Sequence, residues 1–180
     1  MRNTALMIID MQQNYMRSIE PSKLDDLVAQ QLALLDLCRQ RDVPIFTIRM
    51  DVDIPIDTRI AAAAMRAPRH EPYLKKRRDA FTNPRLERAV ERHGIRHLII
   101  SGIYASNCVL ATAATARRKY KIWTTPALIA DSEAPEFVST QGDVHEAMSE
   151  NAAMVQEWYH LNTNYHPDVT SLLRALDDNI

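Results

Sequence analysis

The stretch Leu98-Ile99-Ile100-Ser101-Gly102-Ile103-Tyr104-Ala105-Ser106-Asn107-Cys108 decides how this chain reads. Its first six residues are a short apolar run of the kind buried on both faces of a sheet. A turn follows, and a helix is predicted from about Asn107 to Tyr120. Outward from there, Ala5 to Ile9, Pro44 to Ile48, Ile122 to Thr125 and Ala153 to Val155 are similar short runs, each read as a buried strand. Between the first two lies a stripe of Leu24, Leu27, Val28, Leu34, Leu35 and Cys38, whose three-to-four spacing lays one helical face on a sheet, with Ser22 as the expected N-cap. Asn83 followed by Pro84 opens another helix, and Gly94 stops it before the Leu98 strand. Helices are also expected from Thr140 to Asn151 and near Asp168 to Leu176.

Strand and helix thus alternate, which predicts an α/β fold with a doubly wound, mostly parallel sheet and helices on both faces, a Rossmann-like three-layer arrangement. In such sheets ligands bind beyond the carboxyl ends of the strands, where the strand order reverses. Asp10 directly follows the first strand and Gly102 to Cys108 follows a central one, so both point at one crevice. The stretch from Asp51 to Glu71, with its prolines, alanine run and arginines, lacks clear periodicity and reads as a loop or short helix over that crevice.

The 180 residues are 46% hydrophobic and 25% charged, enough for one buried core, and read as a single domain over 1–180. Twenty-two basic against 23 acidic residues leave a net charge of −1, so no overall field draws the chain to nucleic acid or anionic lipid. Met1 to Asp10 lacks the length and cleavage pattern of a signal peptide, and no segment has the apolar length of a membrane span. With only Cys38 and Cys108 and no paired-motif spacing, neither a disulfide framework nor a zinc cluster is suggested, and a cytoplasmic protein is expected. Cys38 falls on its helix's apolar stripe and reads as core.

Cys108 begins the helix after the turn, where the helix dipole favours a negative sulfur. Position alone leaves two readings open, a nucleophile and a small core residue. Likewise Asp10 by itself could cap a strand end, and Lys75 could be one of a solvated basic run.

Three segments read together resemble the isochorismatase-like family of cysteine hydrolases, which includes nicotinamidases and related amidases. They are Ile8-Ile9-Asp10-Met11-Gln12-Gln13-Asn14-Tyr15, then Lys75-Lys76-Arg77-Arg78-Asp79-Ala80-Phe81-Thr82, and Gly102 to Ala113 around Cys108. The resemblance runs from about residue 5 to 160. It implies Asp10 as catalytic base, Lys75 rather than Lys76 as electrostatic partner, and Cys108 as nucleophile. It also implies substrate contacts from Tyr15, Phe81 and Tyr104, a cis bond between Ile103 and Tyr104, and an oxyanion hole from the backbone N–H groups of Tyr104 and Cys108. The implied chemistry is hydrolysis of a small amide or ureido C–N bond through a Cys108 thioester, without a cofactor, in a homodimer or larger homo-oligomer.

The chain departs from relatives in two respects. Nicotinamidases of the family carry a metal site with a histidine two residues after an aspartate and further histidines; this chain has Asp51-Val52-Asp53 there, and among its six histidines only His70 lies in the corresponding region. One imidazole with two carboxylates is a poor nitrogen-rich site, so no metal is expected. His70, His93, His97, His145, His160 and His166 are read as surface residues. Gly102-Ile103-Tyr104-Ala105 also resembles true isochorismatases, in which glycine replaces the cysteine and the aspartate drives vinyl-ether cleavage. That reaction is one alternative function; a non-catalytic reactive-thiol binding or sensor module is another. Arg49, Arg59 and Arg66 are candidates for a substrate carboxylate or simply exposed. Trp123, Phe137, Trp158 and Tyr159 fit either a core or an oligomer interface. Asp131-Ser132 reads as a structural turn.

Overall fold

The computed structural model describes residues 1–132 and 152–179. The first strand, β1 (Thr4–Ile9), is buried at all six positions. Its alternate side chains serve different layers. Leu6 and Ile8 pack with one apolar cluster, and Ala5, Met7 and Ile9 with another. A short helix, α1 (Gln13–Met16), and a long one, α2 (Pro21–Gln40), lead to β2 (Ile45–Met50). Then come α3 (Thr58–Met65), β3 (His70–Lys75), a 3-10 turn at Ala80–Thr82 and α4 (Pro84–Arg92). Strand β4 (His97–Ile103), buried throughout, runs into a π turn at Ala105–Val109 and α5 (Leu110–Ala116). Strands β5 (Lys121–Thr124) and β6 (Ile129–Ala130), helix α6 (Ala152–Asn162), strand β7 (Asn164–Tyr165) and helix α7 (Val169–Asp178) complete the described residues.

Among the described residues the sheet has seven strands in the order β3-β2-β1-β4-β5-β7, with β6 also paired to β4, and every ladder between them is parallel. Helix α2, with Leu27, Val28, Leu34, Leu35 and Cys38, covers one face together with α3 and α7. Helices α4, α5 and α6 cover the other through Leu86, Val90, Leu110, Ala113, Val155 and Tyr159. The expected doubly wound, three-layer arrangement is therefore present. The chain moves outward one way from β1 to β2 and β3, and the other way through β4 and β5. The order reverses between β1 and β4, which makes the carboxyl ends of those two strands the crevice of the fold.

Several expected elements differ. Ala153 to Val155 lies in α6 rather than in a strand, because three apolar residues are too few to separate a period of two from one of 3.6. Strand β3 has no apolar run to announce it. It is an edge strand carrying Pro72, with exposed residues alternating along it, as an edge can tolerate. Helix α2 is capped by Glu20, whose carboxylate accepts from the Ser22 and Lys23 amides, both at 3.0 Å; Pro21 takes the first turn and moves Ser22 inside. The helix expected from Asn107 starts as the π turn and ends at Ala116. Asn83 does cap α4, accepting from Arg85 N at 2.9 Å. The helix expected from Thr140 to Asn151, with Phe137 and His145, lies outside the described residues.

The histidines are less superficial than expected. His97 is buried in β4 and accepts from Trp123 Nε1 at 3.1 Å, and His166 stacks on the same indole. His70 pairs with Thr47 Oγ1 at 2.8 Å, and His93 joins Glu71 at 2.7 Å. His160 is exposed, as read. Trp123 and Tyr159 are core residues.

Two glycines do different work. Gly94 follows α4 in the left-handed region, at φ 62°, and a Cβ there would meet open space. Gly102 pairs with Ile9 in the β1–β4 ladder at φ 131°, and a Cβ there would sit 2.0 Å from the Ile9 carbonyl oxygen. The bare backbone at 102 lets β4 approach β1 immediately before Asp10. Gly102→Ala is expected to lower the free energy of unfolding by more than about 3 kcal/mol. Gly94→Ala is expected to cost about 1 kcal/mol. Urea titration of both variants reads this difference, and equal small losses would contradict the close approach.

Candidate active site

Asp10 leaves β1 in a left-handed conformation, φ 53°, which aspartate tolerates better than most residues. Its amide donates to Ile48 O at 2.8 Å, so the bend is anchored to the neighbouring strand. The side chain meets Lys75, the last residue of β3, with Lys75 Nζ 2.7 Å from Asp10 Oδ2. Both side chains are almost wholly withdrawn from solvent. The ammonium also donates to Arg77 O and to Met50 Sδ, each at 3.2 Å. Lys76, by contrast, is exposed beside Asp51.

Cys108 completes the group from the π turn after β4. It is buried, and its acidity responds to Asp10 and Lys75 in opposite senses. Burial first and then the Asp10 charge push the thiol up to about 12, against the pull of Lys75. Burial and the Asp10 charge thus act against the helix-dipole effect expected from the sequence, and α5 begins only at Leu110. Burial likewise raises the Asp10 carboxyl above its ordinary value, despite Lys75, making it a better proton acceptor. Asp10 Oδ1 is buried with no hydrogen-bond partner at ordinary distance. Among the described residues it is the carboxylate oxygen left open to accept a thiol proton.

The Ile103–Tyr104 peptide is cis. In the turn that follows, the Ser106 amide is bonded to Asp131, and those of Asn107 and Val109 to Tyr104 O. The Tyr104 hydroxyl bonds with Ser18 Oγ and donates to Tyr15 O, at 2.9 and 3.1 Å, and its ring lies 6.2 Å from that of Tyr15. The Tyr15 hydroxyl senses the charges of Asp10, Cys108 and Lys75. Of the six site residues inferred from the sequence, five thus gather in one place. Phe81 has another engagement, stacked on Tyr120 with centroids 5.9 Å apart.

With this geometry in place, comparison with known proteins is informative. A sequence model of the isochorismatase domain matches residues 4–124. The chain belongs to the isochorismatase family. No curated protein matches it by sequence. Among solved structures, this family member is similar to a nicotinamidase from Staphylococcus aureus, with TM-score 0.73, 16% identity, and coverage of 94% of this chain and 100% of that one. An octameric hydrolase of unknown specificity from Escherichia coli gives TM-score 0.69, 18% identity, and coverage of 98% and 83%. N-carbamoylsarcosine amidase from Thermoplasma acidophilum gives TM-score 0.66, 16% identity, and coverage of 92% and 95%. At these identities the likeness speaks for the fold.

The metal donors considered for this isochorismatase-family chain do not assemble. His70 pairs with Ile45 at the amino end of β3 and Lys75 with Met50 at the other, so His70 stands about 16 Å from the crevice. Its Nε2 bonds with Thr47, while Asp51 and Asp53 are exposed. Among the described residues no three His, Cys, Asp or Glu side chains are grouped to hold a metal ion. Two of the arginine candidates are engaged locally, Arg49 with Val52 O and Arg59 with Asp57, while Arg66 is exposed. Cys38 is core, as read, with its thiol pushed by burial to about 12.

Gln12 was not singled out from the sequence. Fully buried, it accepts from Met50 N at 2.8 Å and donates to Ile54 O at 2.9 Å, tying the end of β2 to the loop after β1. A glutamine two residues after a buried strand looks like ordinary loop polarity, so only its burial reveals it.

Lys75→Met would leave Asp10 as an uncompensated buried carboxylate. The variant is expected to lose about 3 to 5 kcal/mol at neutral pH. With the ammonium gone, the folded-state pKa of Asp10 rises further above its unfolded value, so the loss shrinks as pH falls and grows as pH rises through the folded value. Asp10→Asn in the same background should recover much of the stability. Denaturation midpoints across pH read both effects; a Lys75→Met variant with unchanged, pH-independent stability would contradict the pairing.

Proposed function

We propose that this protein is a hydrolase that opens an amide or ureido C–N bond of a small molecule through a thioester on Cys108. The observation that carries this is the convergence, at the carboxyl ends of β1, β3 and β4, of a buried thiol, a buried ammonium and a carboxylate oxygen with no hydrogen-bond partner among the described residues. Membership of the isochorismatase family supports it, as does the likeness to two amide-cleaving enzymes.

Because the resting thiol is protonated, its proton moves as attack occurs. Asp10 accepts the Cys108 proton while the sulfur bonds to the substrate carbonyl carbon, and Lys75 holds the charge balance of the trio. The tetrahedral oxyanion is received by the backbone N–H groups of Tyr104 and Cys108. The binding of the Ser106, Asn107 and Val109 amides elsewhere supports the choice of Cys108. Collapse breaks the C–N bond, with Asp10 returning its proton to the departing nitrogen. Water then gives a proton to Asp10 as it attacks the thioester, and breakage of the C–S bond releases the acid while Asp10 passes that proton to the departing sulfur, restoring thiol and carboxylate. Tyr15 and Tyr104 would border the substrate, with Phe81 in support. A homo-oligomer is proposed with this function, in keeping with the octameric relative. Among the described residues no helix is long and apolar enough to cross a membrane.

The test is a screen of primary amides, N-carbamoyl compounds and esters against the wild type, Cys108→Ala and Asp10→Asn, with isochorismate included. Turnover by the wild type on a C–N substrate should fall on the order of 10⁴-fold or more in both variants. Retention of activity by Cys108→Ala would remove the thioester. Cleavage of isochorismate by that variant, lost in Asp10→Asn, would establish the vinyl-ether reaction instead.

A further inference from the structure

Asp131 and Tyr159, both outside the Asp10, Lys75 and Cys108 trio, reach the nucleophile-bearing turn from two directions. Strand β6 pairs with the end of β4, Gly102 with Ile129 and Ile103 with Ala130, and this register carries Asp131 to the level of Tyr104. There the Asp131 carboxylate accepts from the Ser106 backbone N–H at 3.0 Å and from the Ser106 hydroxyl at 2.8 Å. From the opposite layer, Tyr159 of α6 donates its hydroxyl to Ala105 O at 2.7 Å. Tyr159 is about 1% exposed, so its hydroxyl has no access to bulk water to compete with that bond.

The Ala105 carbonyl and the Ser106 N–H belong to one peptide group. Its oxygen is held by Tyr159 and its nitrogen by Asp131, so rotation of that peptide plane would break both bonds together. The nitrogen side is charge-assisted and the oxygen side is fully buried, the two settings in which a hydrogen bond is strongest. Cys108 lies two residues further on. A tilt of the plane would carry its side chain away from Asp10 and Lys75. Besides burial, the groups that bear most on the Cys108 thiol are Asp10 and Lys75; Asp131 and Tyr159 bond instead to the backbone and to Ser106 of the turn.

We propose that Asp131 and Tyr159 are positioning residues that lock the Ala105–Ser106 peptide plane and thereby hold Cys108 against Asp10 and Lys75. The significance for catalysis rests on the thioester reading above; the geometric claim stands apart from it. A residue that presets the nucleophile acts through proximity, where displacement by about 1 Å can cost on the order of 100-fold in rate.

The test is alkylation of Cys108 by iodoacetamide as a function of pH, in the full chain, followed by peptide mass spectrometry and requiring no substrate. Tyr159→Phe removes one hydroxyl without changing shape, Asp131→Asn removes an acceptor and the charge, and Asp131→Glu keeps both. Thermal unfolding is followed in parallel. In the wild type the reaction should rise only towards pH of about 12, where the buried thiol titrates. In Tyr159→Phe and Asp131→Asn the thiol leaves its burial and the Asp10 charge, so its titration moves down towards an ordinary thiol and the rate at pH 8 rises about tenfold or more. Asp131→Glu should return the profile towards the wild type. Lower unfolding temperatures with wild-type pH profiles would show a merely structural role and overturn the proposal. If Asp131→Asn does not fold, Tyr159→Phe decides the matter alone. Hydrolysis surviving in Cys108→Ala would defeat the thioester reading and leave this result untouched.

Discussion

The 2.7 Å ion pair between Asp10 and Lys75 is the constraint around which the crevice is organised. Two charges removed from water cost several kcal/mol each, and their attraction offsets this only when the geometry is tight and remaining donors are satisfied. Lys75 meets that condition through Arg77 O and Met50 Sδ. Asp10 meets it by halves, with Oδ2 paired and Oδ1 left open. The pair spans the sheet from β1 to β3 across β2, so the strand order decides that it can form at all. Gly102 then brings β4 close to β1 just where the acid emerges, and the turn beyond it delivers Cys108.

A neutral trio of thiol, carboxylate and ammonium has a particular virtue in a buried site. Passing a proton from sulfur to carboxylate shifts charge within the group without changing its sum, so the surrounding apolar layers meet no new net charge. Burial pushes the thiol up, and in the proposed reaction its proton would leave only as an electrophile arrives, unlike that of a low-pKa, exposed thiolate open to oxidation. Reactivity is thus stored in the arrangement rather than in a standing thiolate.

Most of the sheet was legible because parallel strands buried on both faces write themselves as uninterrupted apolar runs, as Ala5 to Ile9 and Leu98 to Ile103 do. Strand β3 was not, since an edge strand needs no such run, and with it went the structural reason for Lys75 being buried within a basic stretch. Its selection over Lys76 came from the family resemblance. The trio was legible by that resemblance, and the fold explains how three distant segments meet. The upward push of burial on the Cys108 thiol was not legible, because burial is a property of the packed molecule. Nor were Gln12, Asp131 and Tyr159 as organisers of the site. Each is a common residue type in an unremarkable local pattern, and its role arises from contacts 25 to 54 positions away along the chain. The histidines erred the other way. His97 and His166 look solvent-facing in sequence, yet both rings pack against Trp123.

The most direct measurement is rapid acid quench of the wild-type protein during turnover of a C–N substrate from the screen, with mass spectrometry of the peptide that carries Cys108. A fraction of that peptide should be heavier by the substrate's acyl group, released as acid when turnover is allowed to finish. Sustained C–N cleavage with Cys108 unmodified at every quench time, and undiminished after prior alkylation of its sulfur, would contradict it.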